Sequence, residues 1–192
     1  RLFSWRARSL RHSLLHRHAM IDHLLRTSKA PEVLELACGL APRGATFAED
    51  ANVRYTEVDL PHVIAKKQEI LDGSEAGRAI RARSNHRMVA GDVAKLELEE
   101  LLGPDGANRP TFVIAEGLLM YLGADEQRKL WSRLSQLLHR APHGGGGTLV
   151  FDLIPAVEQP RPGLMGRALG WLMRRFTKGA DFERDQRTRE DI

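Results

Sequence analysis

The chain has 192 residues, enough for one domain with a full core. Its 42% hydrophobic and 28% charged residues are ordinary for a globular protein, no stretch is long enough to span a bilayer, and one cysteine, Cys38, excludes an internal disulfide and points to a reducing, cytoplasmic compartment. The net charge of +4 comes from basic residues crowded into 1–26 and 161–189, with no RNP-type aromatic pattern, zinc-ligand spacing or recognition helix beside them, which argues against nucleic acid as the partner.

Residues 5–26 have helical spacing, with Leu10, Leu14, Leu15, Ile21, Leu24 and Leu25 on the expected apolar face. His12, His16, His18 and His23 lie on this helix. No Cys or Glu completes a familiar ligand set, so a solvated basic face is the better reading and no metal is expected. Thr27 to Pro31 is a turn. The apolar run Val33-Leu34-Glu35-Leu36 then passes into Ala37-Cys38-Gly39-Leu40-Ala41-Pro42-Arg43-Gly44, a buried strand entering a tight loop whose small residues let backbone N–H groups approach a ligand. Glu35 stands at the joint, where a carboxylate suits a ligand with a cationic or hydroxyl-bearing part.

A short helix near 44–50 precedes a strand over 53–59, and helix 61–72 carries Val63, Ile64, Ile70 and Leu71 inward with Gly73 as its cap. Residues 74–83 are polar and read as a partial helix or loop. Strand 86–90, a short helix over 96–102, the loop 103–106 and the apolar strand 111–115 follow. Residues 125–139 form a well-patterned helix with Leu130, Trp131, Leu134, Leu137 and Leu138 inward and Asp125 near its cap. After a turn over 142–147 comes a fifth strand, 148–153, then an apolar helix over 163–176 and a charged tail from Thr177 expected to be poorly ordered.

Five alternations of strand and helix build an α/β, doubly wound, mostly parallel sheet. Ligands of such sheets bind outside the carboxyl ends of the strands. This chain places Glu35, Asp59, Asp92 and Glu116 at or beside four such ends in succession. Asp59 follows Glu35 at about the 20-residue offset at which a second-strand acid meets a ribose. The dinucleotide fingerprint G-x-G-x-x-G is absent, Pro42 removes a backbone N–H that a pyrophosphate could use, and there is no P-loop. A nucleoside without phosphates that carries an amino acid and a cationic centre fits this rim, which describes S-adenosylmethionine.

Glu35-Leu36-Ala37-Cys38-Gly39 resembles motif I of class I methyltransferases, E/D-x-G-x-G, with Ala37 in place of the first glycine. Glu57-Val58-Asp59-Leu60-Pro61, Gly91-Asp92, the run Ala115-Glu116-Gly117 through Met120-Tyr121-Leu122, and the segment Arg17 to Asp22 together resemble the leucine carboxyl methyltransferase family, which includes O-methyltransferases of the tetracenomycin polyketide type. The resemblance runs from about 12 to about 154. It implies a Rossmann-like methyltransferase fold and S-adenosylmethionine as cofactor. It places Arg17 on the methionine carboxylate, Ala37 and Gly39 in backbone contact with the methionine part, Asp59 on the ribose, Asp92 and Val93 beside adenine, Glu116 near the amino group or sulfonium, and Tyr121 towards the substrate. Ala37, bearing a methyl, calls for an ordinary negative φ.

The implied reaction is in-line transfer of a methyl group to an oxygen of a polyketide-like small molecule or a peptide carboxylate. A carboxylate needs no general base, whereas a hydroxyl does. His62 and His86 stand near expected strand ends, but neither is convincing, so no catalytic residue is assigned. Residues 1–31 form an N-terminal helical segment, 32–154 the cofactor-binding core, and 155–192 a C-terminal helix and tail. Class I methyltransferases have seven strands, so the last strands are expected beyond Ile192. Two readings from other classes stay open: a nicotinamide-dependent oxidoreductase, against which the missing fingerprint counts, and a non-catalytic module that uses its basic ends on nucleic acid.

Overall fold

The computed structural model describes residues 2–103, 106, 109–139 and 147–153. Five strands form one parallel sheet: β1 (Glu32–Leu36), β2 (Arg54–Asp59), β3 (His86–Ala90), β4 (Thr111–Ala115) and β5 (Thr148–Phe151), in the spatial order β3-β2-β1-β4-β5. The chain winds outward from β1 through β2 to β3, then returns to the other side of β1 for β4 and β5. The order therefore reverses between β1 and β4, and their carboxyl ends flank the crevice where such sheets take ligands.

Every residue of the central strands β1 and β4 is buried, as parallel strands covered on both faces require. The period-2 alternation divides their side chains between two cores. On one face Leu34, Leu36, Val58, Val113 and Ala115 pack with Leu130, Leu134 and Leu137 of α5 (Ala124–His139) and with the 3₁₀ turn Leu98–Leu101. On the other, Val33, Tyr55, Phe112 and Ile114 pack with Ile21 and Leu25 of α1 (Leu2–Ser28) and with Phe47 of α2 (Arg43–Phe47).

Several sequence expectations are corrected. The first helix continues to Ser28, where the Ser28 hydroxyl donates to Leu25 O and accepts from Ala30 N, so the following turn is shorter than 27–31. Of its expected apolar face only Ile21 and Leu25 are buried. Leu14, Leu15 and Leu24 are exposed, and the Leu10 side chain lies outside the described residues. In α3 (Pro61–Asp72), Ile64 is buried but Ile70 is exposed, and Lys67 is buried in its place for a polar reason given below. The polar stretch after Gly73 is a true helix, α4 (Glu75–Arg81): the Ser74 hydroxyl caps it by accepting from Gly77 N at 3.0 Å. Asp125 pairs with Arg128 inside the first turn of α5, and Glu126 instead reaches back to Gly123 N at 3.0 Å. The fifth strand ends at Phe151. Most of the turn over 142–147, the helix over 163–176 and the tail lie outside the described residues.

Candidate functional site

The loop after β1 is stitched to β2. Cys38 N donates to Val58 O at 3.1 Å, and Gly39 N donates to Asp59 Oδ2 at 2.7 Å. Asp59 Oδ1 accepts from Leu60 N at 2.7 Å. Each oxygen so used keeps a second lone pair. The path requires left-handed backbone at two positions, Ala37 (φ 54°) and Gly39 (φ 55°). The ordinary φ expected for Ala37 is thus corrected: the residue is held in a strained conformation that costs an L-residue about 1 kcal/mol. A Cβ added at Gly39 meets nothing within 4 Å, so φ rather than crowding calls for glycine there. Cys38 is buried, and burial pushes its thiol well above the usual range, so no thiolate is available.

Glu35 does not face the rim. It lies inside β1, its side chain 2% exposed, pointing to the face covered by α1 and α2. Its carboxylate accepts from Arg43 Nη1 and, at 2.8 Å, from the Tyr55 hydroxyl. Burial pushes it up to about 7 despite Arg43. The expectation of a ligand-facing carboxylate fails because period-2 side-chain direction, not sequence proximity to the loop, decides where Glu35 points.

Arg43, which the sequence reading passed over as loop, is the centre of the site. Its side chain is 0% exposed. Nε donates to Asp22 Oδ1 at 2.6 Å, Nη1 to Glu35, and Nη2 to Glu116 Oε2 at 2.7 Å, while His18 Nδ1 lies 2.6 Å from Nη2. Burial alone would favour release of its proton, but the three carboxylates raise its pKa beyond the ordinary value. One fork thus ties α1, β1 and the segment after β4 to the start of α2.

Arg17 is next to this hub. Its Nε donates to Glu116 Oε1 at 2.8 Å and its Nη1 to Asp152 Oδ2 at 2.5 Å. Burial would raise the pKa of Glu116, yet hydrogen bonds from Arg43 and Arg17 bring it below the usual range. Asp152, just past β5, also accepts from the N–H of Gly117, whose φ is 68°. The sequence pattern places Asp152 inside a strand over 148–153, where a single acid gives no local signal, whereas β5 ends at Phe151.

Asp92 closes the far side of the rim. Its Oδ1 accepts from Ala94 N at 3.0 Å and its Oδ2 lies 3.0 Å from Lys95 Nζ, the contact that chiefly lowers its pKa. Val93 is buried in the core with Leu36 and Val58. Tyr121 ends the 3₁₀ turn Leu119–Tyr121 and is 44% exposed, while Leu118, Leu119 and Leu122 do the capping of the sheet.

A second buried cation braces the loop from below. Lys67 Nζ donates to Ala41 O and to Glu57 Oε1, both at 2.6 Å, and His86 Nε2 lies 3.0 Å from Glu57 Oε2. Burial would raise the pKa of Glu57, but His86 and Lys67 lower it. A Cβ at Gly44 would stand 2.6 Å from the Glu57 carboxyl, so glycine is needed there for close approach. His86 begins β3 and is therefore at the amino end of its strand, away from the rim, whereas His62 is exposed in the first turn of α3. Among the described residues no three His, Cys, Asp or Glu side chains gather as a metal site, and no helix is long and apolar enough to cross a membrane.

The leucine carboxyl methyltransferase family model matches residues 2–135. The tetracenomycin polyketide synthesis O-methyltransferase TcmP of Streptomyces glaucescens is 30% identical over 122 residues, covering 64% of this chain and 38% of TcmP. A candidate S-adenosyl-L-methionine-dependent methyltransferase of Parafrankia sp. (strain EAN1pec) is 32% identical over 121 residues, covering 60% of this chain and 37% of its own length. The chain thus spans under two fifths of the length of either relative. A Nostoc punctiforme PCC 73102 protein, solved as a candidate O-methyltransferase, superposes with a TM-score of 0.58 at 18% identity over 90% of this chain and 46% of its own, a likeness of fold.

Proposed function

We propose, from the premise that this chain belongs to the leucine carboxyl methyltransferase family, that it binds S-adenosylmethionine on the carboxyl rim of β1–β5 and serves transfer of the methyl group to an oxygen acceptor. The observation that carries this reading is the convergence of Arg17, Glu116, Asp59 and the Gly39 backbone, from four separate segments, on one rim. The residues fit the group: Asp59 keeps lone pairs for two ribose hydroxyls, the space beside Gly39 is open, and Arg17 with Glu116 provides paired charges for a zwitterionic amino acid. The backbone of Ala37 would lie beside the methionine part, and Asp92 with Val93 would border the adenine. Glu35 acts indirectly, by anchoring Arg43.

When bound, S-adenosylmethionine supplies a methyl group made electrophilic by a sulfonium. The residues of this chain bind, orient and exclude water, which is the main protein contribution to such a displacement. The acceptor is a carboxylate or hydroxyl of a polyketide-like small molecule or a peptide carboxylate, a reading supported by the TcmP name, with Tyr121 on its side of the site. Residues 1–31, 32–154 and 155–192 serve as helical segment, cofactor core and C-terminal extension. A single buried cysteine suits the cytoplasm. Calorimetric titration tests the proposal: S-adenosylhomocysteine is expected to bind and NAD not. Binding of NAD alone would replace the reading with an oxidoreductase. Steeply salt-dependent binding of generic duplex with no S-adenosylhomocysteine binding would replace it with a nucleic-acid module.

A further inference from the structure

Arg43 and His18 together fix a hydrogen-bonding pattern that the cofactor reading does not use. A guanidinium only donates. The two hydrogens on Arg43 Nη2 have two partners: Glu116 Oε2 at 2.7 Å and His18 Nδ1 at 2.6 Å. A ring nitrogen this close to a donor presents its lone pair, so the imidazole carries its hydrogen on Nε2. The alternative, an Nδ1–H directed to Glu116 Oε2 at 3.5 Å, would press that hydrogen against those of Nη2. Nε2 stands 4.0 Å from Asp22 Oδ1, too far for a hydrogen bond, and the His18 side chain is 30% exposed. His18 therefore holds one N–H, on Nε2, for which no described side chain is an acceptor within range. It also follows Arg17 directly on α1, and both side chains approach Glu116.

We infer that His18 is a second donor, beside Arg17, for the amino-acid carboxylate of the cofactor, and that Arg43 is the positioning residue that holds it in the Nε2–H tautomer. This rests on the proposed cofactor site. A ring held this way has no lone pair on Nε2, so that nitrogen cannot serve as a general base. The buried Arg43 thereby has a role beyond cohesion: it orients Glu116 and His18 with the same nitrogen.

The full chain tests this with two probes, S-adenosylhomocysteine and 5′-methylthioadenosine, which lacks the carboxylate. The wild type is expected to show His18 as the Nε2–H tautomer in a long-range ¹H–¹⁵N spectrum, and Arg43→Lys to lose that single tautomer. His18→Leu is expected to weaken S-adenosylhomocysteine about tenfold or more, the worth of one charge-assisted hydrogen bond, with methylthioadenosine affinity unchanged. His18→Gln, which keeps an N–H donor, is expected to recover part of the loss. Equal weakening of both probes, no weakening of either, or a wild-type Nδ1–H tautomer overturns the inference while leaving the cofactor site standing. Failure of the wild type to bind S-adenosylhomocysteine overturns the cofactor site itself and the inference with it. If Arg43→Lys does not fold, Glu116→Asp, which draws the carboxylate back by one methylene, serves as the second variant: the His18 tautomer is expected to persist because Nη2 still faces Nδ1, and its loss counts against Arg43 as the determinant.

Discussion

The two halves of the rim hold their carboxylates by different means. On the β1–β2–β3 side, Asp59 and Asp92 accept backbone N–H groups, and Asp92 has a solvated lysine beside it. On the β4–β5 side, Glu116 and Asp152 are gripped by Arg17, and Glu116 also by the fully buried Arg43. The backbone-held acids are aimed by loop geometry and keep lone pairs for neutral donors such as hydroxyls and an amine. The arginine-held acids form a charge-compensated patch, suited to an amino acid that bears both signs. The halves also differ in cost. Taking charges out of water is expensive, and the guanidinium fork offsets it only while every partner is present.

That difference is easiest to break at Arg43. Arg43→Met leaves Asp22, Glu35 and Glu116 without their shared cation, and urea unfolding is expected to show a loss of about 4–5 kcal/mol. A loss under about 1 kcal/mol would mean that the cluster is not the structural centre of the arginine-held half.

Lys67→Met removes one of the two partners of Glu57 and the brace on Ala41 O, with an expected loss of about 3 kcal/mol. The same contact sets part of the acid limb. Glu57 has a folded pKa lowered from 4.5, so its stabilisation is present above about pH 4.5 and is lost as pH falls through the lower folded value. Glu116 acts with the same sign. Denaturation midpoints followed from pH 6 to pH 3 should therefore fall more steeply in the wild type than in Lys67→Met, and parallel profiles would remove Lys67 from the account.

Asp59→Ala probes the backbone-held half. Affinity for S-adenosylhomocysteine is expected to drop between tenfold and a hundredfold, with the chain still folded, because one carboxylate serves the ligand more than the core. Unchanged affinity would show that the ribose assignment is wrong.

The smallest effect is expected at Ala37. Ala37→Gly relieves a left-handed φ of 54°, offset in part by the extra freedom of glycine in the unfolded chain, for a net gain of about 0.5 kcal/mol. A stability loss in thermal melts would indicate that the methyl packs usefully enough to outweigh the strain.

Much of the fold was legible. The apolar runs at 33–36 and 111–115 read as buried parallel strands because residues covered on both faces leave an unbroken hydrophobic signal. Helix α5 was clear because its leucines recur on one face. Helix α4 stays open between partial helix and loop in the sequence because it is polar and short, although Ser74 ahead of Glu75 is a capping signal. The exposed Leu14 and Ile70 were misassigned because periodicity reports which face is apolar, not whether a neighbour covers it. At the candidate site, the strand-end positions of Asp59 and Glu116 are legible in the sequence, and both residues lie at the carboxyl ends of their strands. The roles of Arg43 and Asp152 are not legible, since a lone arginine in a loop and a lone acid inside an expected strand carry no local signal.

The sequence by itself determined the alternation of strand and helix, the carboxylates at successive strand ends and, through its motifs, the family. These are local or periodic properties, written in neighbouring residues. Only the tertiary structure decided which charges are buried and which partner holds each. Arg43 meets groups up to 73 positions away in sequence, Arg17 one that is 135 away, and Glu35 turns inward because its strand alternates. Such pairings depend on where the parallel crossovers bring distant segments together, and no local pattern encodes that.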